Sequence, residues 1–243
     1  MFRPAPSCTD GVRNQNETGV DCGGVCGACS VHIAAKDLVI EGSWVIDGVD
    51  GTVDAVAQIT NPNNLYGAQR ISYAFVLHGE GDTIVAEKKG TTFALPAETK
   101  YIVEPGIEIP SEARVVRAEF RIDSAVDWVL FDGYQKPRII VLNKRYELSS
   151  SSTEYSRVSG LVRNESPFDF ARIWIKVVLR DATGTPLAIH RTHMDVMNSG
   201  DERAFSLPWP RKFSGEVASV DVETEVDVFQ SETFRARYIG GAQ

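Results

Sequence analysis

Four cysteines close to the N-terminus, Cys8, Cys22, Cys26 and Cys29, are the residues whose type and spacing best suit chemistry. No further cysteine follows in the 243-residue chain. This distribution is more typical of an exported cysteine-rich segment than of a cytosolic enzyme. The spacing Cys-x13-Cys-x3-Cys-x2-Cys allows disulfides, a zinc site or a redox pair.

Two disulfides are the favoured interpretation, because the surrounding segment is rich in glycine and has few apolar residues with which to form a core. The three possible connectivities remain open, and we expect Cys8 to pair with Cys26 or Cys29. Closing a loop of about 18 to 21 residues would stabilise the segment by roughly 3 kcal/mol.

Zinc bound by four thiolates is the second interpretation. Structural zinc sites usually bring two close cysteine pairs, whereas Cys8 stands alone in this sequence. A redox pair at Cys26 and Cys29 is the third interpretation. It would need a helix N-terminus in a βαβ unit, which the sequence does not predict.

Oxygen ligands are also dense in this segment. Carboxylates and amides of the kind that calcium prefers occur at Asp10, Asn14, Asn16, Glu17 and Asp21. Their spacing is not that of an EF-hand loop. Calcium binding therefore competes with the interpretation that these side chains cap turns of their own backbone.

The pattern C-x-DG-x-x-N-x-x-ETG-x-DCGG-x-C-x-x-C spans Cys8 to Cys29. It resembles a short cysteine-rich module found just outside the membrane anchor of bacterial surface proteins, and more distantly the acidic repeats of thrombospondin type 3. The resemblance implies a cell-surface location and calcium binding, and it implies no activity.

The charge balance argues against nucleic acid as a partner. The formal net charge is -8 at pH 7, whereas phosphate binding requires clustered Lys and Arg. No apolar run is long enough for a transmembrane helix, and the first residues lack the apolar core of a signal peptide. Because the cysteines indicate export, we expect that membrane attachment runs through an N-terminal anchor missing from this chain.

The histidines do not form a recognisable catalytic pattern. His190 and His193 point to opposite faces of a predicted strand, and His193 with Asp195 is an ordinary surface pair. No nucleophile motif or glycine-rich phosphate loop occurs. We therefore expect a protein that is not an enzyme and has no catalytic residues.

An internal repeat predicts the elements that position these residues. The stretch Asn61–Pro105 returns in degenerate form at Asn164–Pro208. The matched positions are Asn61/Asn164, Leu77/Leu179, Ala86/Ala188, Glu98/Asp201, Ile102/Phe205 and Pro105/Pro208. Short alternating apolar runs between Gly, Pro, Asn and Asp indicate an all-β fold, with no helix longer than a turn. We predict a cysteine-rich head at 1–30, a first β-sandwich at 31–135 and a second at 136–243.

One strand of each copy shows the alternation most clearly. The apolar positions are Ile71, Tyr73, Phe75 and Leu77 in the first copy and Ile173, Ile175, Val177 and Leu179 in the second. The strings Phe75–Gly79 and Val177–Asp181 resemble the FxLYD domain and the late-embryogenesis-abundant group 2 fold. The resemblance implies two immunoglobulin-like antiparallel sandwiches, a non-catalytic extracytoplasmic role and no functional residues.

Three aromatic residues are candidates for an interface. Trp128 and Phe131 lie beside the predicted domain junction, where packing between domains is favoured over an exposed binding anchor. Trp174 lies on the strand face opposite Ile173 and Ile175, where it is either exposed or packed on a neighbour.

We expect a cell-surface structural or interaction protein. It would join a protein partner, or like subunits in an oligomer or filament, through exposed sheet edges. The first alternative is a ligand-binding module, with calcium at the head or a glycan or peptide on a sandwich. The second alternative is a zinc or redox role for the head.

Overall fold

The structure is a computed structural model, and it describes residues 7, 8, 14, 16, 17, 24–26, 35–49, 51–131, 133 and 135–238. The chain divides into two compact units, Met1–Ala35 and Lys36–Gln243. The first unit contains the cysteine-rich head, and the second contains the described strands.

Thirteen strands are found in the described part of the second unit. Its first half contains β1 (Val39–Asp47), β2 (Thr52–Thr60), β3 (Tyr66–His78), β4 (Ile84–Ala94), β5 (Thr99–Glu108), β6 (Arg117–Ile122) and β7 (Trp128–Leu130). Its second half contains β8 (Ile139–Leu148), β9 (Ser156–Asn164), β10 (Phe170–Arg180), β11 (Pro186–Met197), β12 (Glu202–Trp209) and β13 (Ser219–Val226).

The strands form four antiparallel sheets. In the first half, one sheet has the order β1-β2-β5 and the other has the order β4-β3-β6, with β7 also paired to β3. In the second half, the orders are β12-β9-β8 and β11-β10-β13. These sheets confirm the prediction of an all-β protein with two sandwiches in tandem.

The alternation in β3 and β10 places apolar side chains in the two cores. All eight predicted core residues of these strands are buried: Ile71, Tyr73, Phe75, Leu77, Ile173, Ile175, Val177 and Leu179. Burying a side chain of this size contributes about 1.5 to 3 kcal/mol. The two strands therefore supply much of the apolar burial that holds each sandwich together.

The repeat in the sequence corresponds to the same strand neighbours in both halves. Leu77 of β3 pairs with Ala86 of β4, and Leu179 of β10 pairs with Ala188 of β11. In the opposing sheets, β2 pairs with β5 and β9 pairs with β12. The matched sequence positions thus occupy matched places in two similar folds.

Asn61 organises the polar end of the first sandwich. Its buried Nδ2 donates to the carbonyl of Tyr66 at 2.7 Å and to that of Leu95 at 2.8 Å, and its Oδ1 accepts from Asn63 N at 3.1 Å. Its backbone N–H donates to the carbonyl of Glu98. Backbone groups that leave the sheet at a buried turn need such partners, because an unpaired polar group there costs about 1 to 3 kcal/mol.

Asn164 makes the same contacts in the second sandwich. Its Nδ2 donates to the carbonyl of Phe168 at 2.8 Å and to that of Met197 at 3.1 Å, and its Oδ1 accepts from Ser166 N at 3.1 Å. Its backbone N–H donates to the carbonyl of Asp201. The matched asparagines therefore make equivalent sets of hydrogen bonds at corresponding turns of the two sandwiches.

The two sandwiches pack through their outward faces. Val56, Tyr101 and Val103 on the outer face of the β1-β2-β5 sheet form a buried cluster with Val178 and Ile189 on the outer face of the β11-β10-β13 sheet. These two sheets are therefore buried on both faces at this contact.

The chain continues after β13 into a 3-10 turn at Val228–Gln230 and a helix, α1, at Glu232–Tyr238. Phe234 and Tyr238 of this helix are buried, with ring centroids 5.1 and 6.0 Å from that of Phe168. The expectation that no helix exceeds one turn was wrong for this segment. Across the residues that the structure describes, no helix has the length and apolar character needed to span a membrane.

Candidate functional site

The described residues of the head include a disulfide between Cys8 and Cys26, with an S–S distance of 2.12 Å. This bond confirms the predicted use of these cysteines as a disulfide. Cys22 and Cys29 lie outside the described residues. Because the sulfur atoms of Cys8 and Cys26 are bonded to each other, neither is a thiolate that can bind zinc in this form.

The predicted calcium ligands are only partly described. Glu17 is buried; its backbone N–H donates to the carbonyl of Asn14 at 2.8 Å, and its Oε2 accepts from Asn14 N at 3.1 Å. Asn16 lies between them with a left-handed φ of 66°. Asp10 and Asp21 lie outside the described residues. These contacts form a tight turn, and calcium binding stays a prediction.

The aromatic residues beside the predicted domain junction pack inside the structure. Trp128 is half-buried and packs against the buried cluster of Ala68, Ile71 and Ala94. Phe131 is fully buried, and its ring lies edge-to-face at 5.6 Å from that of Phe229 in the second half of the chain. Phe131 therefore contributes to packing between the two halves rather than to the exposed surface.

A buried ionic network lies at the junction of the sandwiches, centred on Lys176 of β10. Its Nζ donates to the carbonyl of Tyr101 at 2.6 Å, to Glu223 Oε1 at 3.0 Å and to Glu225 Oε2 at 2.7 Å. Burial alone would lower the pKa of the ammonium group, but the carboxylates of Glu225 and Glu223 outweigh burial and raise the pKa above its usual value. Lys176 therefore stays charged, with all three of its donors in use.

Lys100 of β5 reaches the same network from the first sandwich. Its buried Nζ forms an ion pair with Glu225 Oε2, donates to the carbonyl of Phe93 at 2.8 Å and lies 3.8 Å from the centroid of the Phe93 ring. Burial alone would raise the pKa of Glu225, but Lys100 and Lys176 lower it to about 2. Glu225 thus joins one lysine from each sandwich.

Tyr101 extends the network along the junction. Its backbone N–H donates to Glu223 Oε2 at 3.0 Å, and its hydroxyl donates to Asp221 Oδ2 at 2.9 Å. Arg180 donates to the Tyr101 hydroxyl at 2.9 Å and to Asp221 Oδ2 at 3.0 Å, and its guanidinium lies over the ring of Trp44. Burial raises the pKa of the Tyr101 hydroxyl, so it acts as a neutral hydrogen-bonding group.

A polar cleft of about 460 Å³ lies beside this network, between β4 and the outer face of β10 and β11. The first sandwich lines it with Thr91, Thr92 and Phe93. The second half of the chain lines it with Phe170, Ala171, Arg172, Trp174, Lys176, Arg191, Glu225, Asp227, Gln230 and Ser231. The cleft therefore needs both sandwiches in their observed positions.

Trp174, the third aromatic candidate, is half-buried on the wall of this cleft. The guanidinium carbons of Arg172 and Arg191 lie 5.5 and 5.2 Å from its ring centroid, and the His193 ring lies at 5.0 Å. Arg172 also pairs with Asp195 at 2.8 Å, and this pairing lowers the pKa of the Asp195 carboxyl. Two guanidinium groups therefore lie over the ring of Trp174, so this residue does not present an open ring face.

The two neighbouring histidines of β11 lie on opposite faces, as the strand period predicts. His190 contacts Trp209 edge-to-face at 5.7 Å, whereas His193 stacks near Trp174. Burial lowers the pKa of His190. His193 Nε2 lies 3.5 Å from Asp195 Oδ2 on the exposed face.

The sequence predicted Trp174 but missed the charged residues around it. Lys176 interrupts the apolar run Ile173–Leu179, while Glu223 and Glu225 alternate in β13 on the face that pairs with it. A lysine within an apolar strand is the signal that could have indicated a buried ion pair. Lys100 carries no comparable signal, because its burial depends on contact with the second half of the chain.

No known family model matches the sequence, and no curated protein sequence matches it. Among solved structures, the chain is similar to red sea bream transglutaminase, with 11% sequence identity and a TM-score of 0.24. The match covers 78% of this chain and 29% of the transglutaminase chain, so the protein spans less than a third of that structure. A similarity of this size carries no argument about function.

Proposed function

We propose that this protein is a non-catalytic, extracytoplasmic structural or interaction protein in which two β-sandwiches act as one rigid unit. The observation that carries the proposal is the buried network at their junction. In that network Glu225 binds Lys100 of the first sandwich and Lys176 of the second.

A buried ion pair is a poor way to gain stability, because removing two charges from water costs several kcal/mol and apolar residues of similar volume often stabilise as well. Its geometry is demanding, since a small displacement leaves a charge without its partner. We infer that the network selects one orientation of the two sandwiches. A fixed orientation suits a spacer or scaffold that holds a binding surface in place.

The non-catalytic part of the proposal is supported by the state of the buried amine. Lys176 has carboxylate or carbonyl partners for all of its donors, and its pKa is raised. A lysine that acts as a nucleophile or general base needs a lowered pKa and a free lone pair.

The extracytoplasmic part is supported by the Cys8–Cys26 disulfide. Such bonds persist in oxidising compartments and are rare in the cytosol. Thiol titration by alkylation under denaturing conditions, with the reagent added as the native cells are lysed and the labelled cysteines located by mass spectrometry, tests this. We expect Cys8 and Cys26 to be protected, and free thiols at both positions would overturn the proposed compartment.

Rigidity is tested by calorimetric unfolding of the full chain. We expect both sandwiches to unfold in a single transition, because the junction cluster and the ionic network couple them. Two separated transitions would contradict the rigid unit. Light scattering over a range of concentrations then tests whether exposed sheet edges also join like subunits.

A second candidate function is ligand binding at the cleft between the sandwiches. It is favoured by one observation: the cleft wall places Arg172 and Arg191 beside Trp174, and in the described part of the chain neither guanidinium forms an ion pair with the first sandwich. The rigid junction would then fix both walls of a binding site.

A further inference from the structure

The cleft beside Trp174 has the size of a small-molecule site. Its volume of about 460 Å³ falls within the range of roughly 300 to 1,000 Å³ that is usual for ligand pockets. Its two walls come from different sandwiches, as in sites formed at domain junctions.

The two guanidinium groups in the cleft are held in place before any ligand arrives. In the β10–β11 register, Arg172 pairs with Asp195, Trp174 with His193, and Lys176 with Arg191. Arg172 and Arg191 therefore belong to the pairs on either side of Trp174, and both lie over its ring. Cation–π contact restricts these long side chains, so less conformational entropy is lost when they bind an anion.

One positive group of the cleft, the guanidinium of Arg191, is available to a ligand. Three cationic residues, Arg172, Lys176 and Arg191, and two carboxylates, Glu225 and Asp227, line the cleft. Glu225 is paired with Lys100 and Lys176, Arg172 is paired with Asp195, and Asp227 accepts from Phe229 N at 3.1 Å and Gln230 Nε2 at 2.7 Å. Within the described ranges of the chain, Arg191 forms no ion pair, and its side chain is exposed. A planar guanidinium binds carboxylate or sulfate through two parallel hydrogen bonds.

The remaining lining favours a hydroxyl-rich ligand over a peptide. The polar residues Thr91 and Thr92 line the cleft from β4, and Gln230, whose Nε2 donates to Asp227, keeps its carbonyl oxygen for a donor. Phe93 is only 7% exposed and is covered by Lys100. The cleft therefore offers polar partners but little apolar surface for the side chains of a peptide.

We propose that the cleft binds an acidic saccharide. Its carboxylate or sulfate would contact Arg191 and Arg172, and its sugar hydroxyls would contact Thr91, Thr92 and Gln230. This inference rests on the second candidate function and specifies the ligand class.

Titration calorimetry on the full chain tests the inference with four probes. These are a tetrasaccharide of alternating glucuronic acid and N-acetylglucosamine, the same tetrasaccharide with its carboxyl groups reduced to hydroxymethyl, a sulfated chondroitin tetrasaccharide, and hexaglutamate. We expect one or both acidic tetrasaccharides to bind, and the reduced one to bind about tenfold or more weakly, because a charge-assisted pair is lost. Comparison of the carboxylated and sulfated probes identifies the preferred anion.

Two variants locate the site. Arg191→Gln should weaken binding of the acidic tetrasaccharide about tenfold or more. Arg145→Gln, which removes an exposed arginine from β8 on the other sheet of the same sandwich, should change it less than twofold. Because both positions are exposed, circular dichroism should show the same fold in both variants.

Four results would overturn the inference: no saccharide binding up to about 5 mM, binding of the reduced tetrasaccharide as tight as that of the acidic one, equal binding by the Arg191→Gln variant, or binding of hexaglutamate alone. The last result would assign the cleft to an acidic peptide. None of them bears on the thiol titration or the calorimetric transition, so failure here is distinguishable from failure of the rigid, extracytoplasmic unit.

Discussion

The two sandwiches are alike inside and different on the faces where they meet. Asn61 and Asn164 make equivalent hydrogen bonds in their own halves. On the outer faces, Val56 and Val103 of the first sandwich pack with Val178 and Ile189 of the second, and the second sandwich also presents Lys176 with its acidic partners. Features that fold each copy are shared, and features that join the copies are not.

This difference teaches that a repeated fold can form an asymmetric junction. Two identical outer faces would pair charge with charge or apolar surface with apolar surface. Here Lys100 extends from the first sandwich to Glu225, and Lys176 on the second donates to a backbone carbonyl of the first. The junction therefore depends on differences between the copies such as Lys176, whose matched position in the first copy is Ala74.

The largest effect is expected from Lys176→Met, which breaks the junction while keeping a side chain of similar length. Glu223 and Glu225 would lose a buried partner, and the free energy of unfolding should fall by about 3 to 5 kcal/mol. Urea unfolding at neutral pH measures the change. The matched control is Lys88→Met in exposed β4, for which a change within about 0.5 kcal/mol is expected.

Acid should weaken the junction through Glu225. Its pKa falls from a usual value near 4.5 to about 2 in the folded protein, so its contribution is complete above pH 4.5 and is lost as the pH falls towards 2. The contribution is about 3 kcal/mol. Urea unfolding between about pH 6 and pH 2 should show a smaller loss of stability in Glu225→Gln than in the native chain. Parallel pH profiles would exclude this role for Glu225.

The matched asparagines Asn61 and Asn164 test whether the interiors of the two sandwiches are equivalent. Asn61→Ala and Asn164→Ala each leave buried backbone carbonyls without a donor, and each should lower the free energy of unfolding by about 2 to 3 kcal/mol. Similar values are expected because the two hydrogen-bond sets are equivalent. A neutral result at either asparagine would show that the turns of the two copies are not held in the same way.

Tyr101→Phe should have the smallest effect, because it removes one hydroxyl and leaves the ring in the junction. The hydroxyl links Asp221 and Arg180, which remain paired with each other. A loss of about 1 kcal/mol is expected. Chemical unfolding beside Lys176→Met would measure it, and a loss as large as that of Lys176→Met would place the centre of the network at Tyr101 instead.

The core of each sandwich was predictable because its signal is local. Buried apolar residues recur at every second position, as at Ile71, Tyr73 and Phe75 and at Ile173 and Ile175, and a strand with one buried face produces that period directly. The disulfide role of Cys8 and Cys26 followed from their segment, which has few other means of holding a fold.

The junction was not predictable in the same way, because it depends on which outer faces meet. Lys176 and Glu225 are ordinary surface residues until another sheet covers them. Helix α1 was missed for a similar reason: seven residues do not form a stable helix in isolation. Phe234 and Tyr238 become helical where they can pack on Phe168.

The burial of the β1-β2-β5 sheet on both faces has a consequence for the order of events during synthesis. The ribosome releases the first half of the chain before β10 and β11 exist. Until those strands emerge, Val56 and Val103 face water, and the ammonium group of Lys100 has no Glu225 to bind. The nascent first half is thus an aggregation-prone intermediate. Its exposed apolar surface becomes an internal contact once translation is complete and the second half has folded.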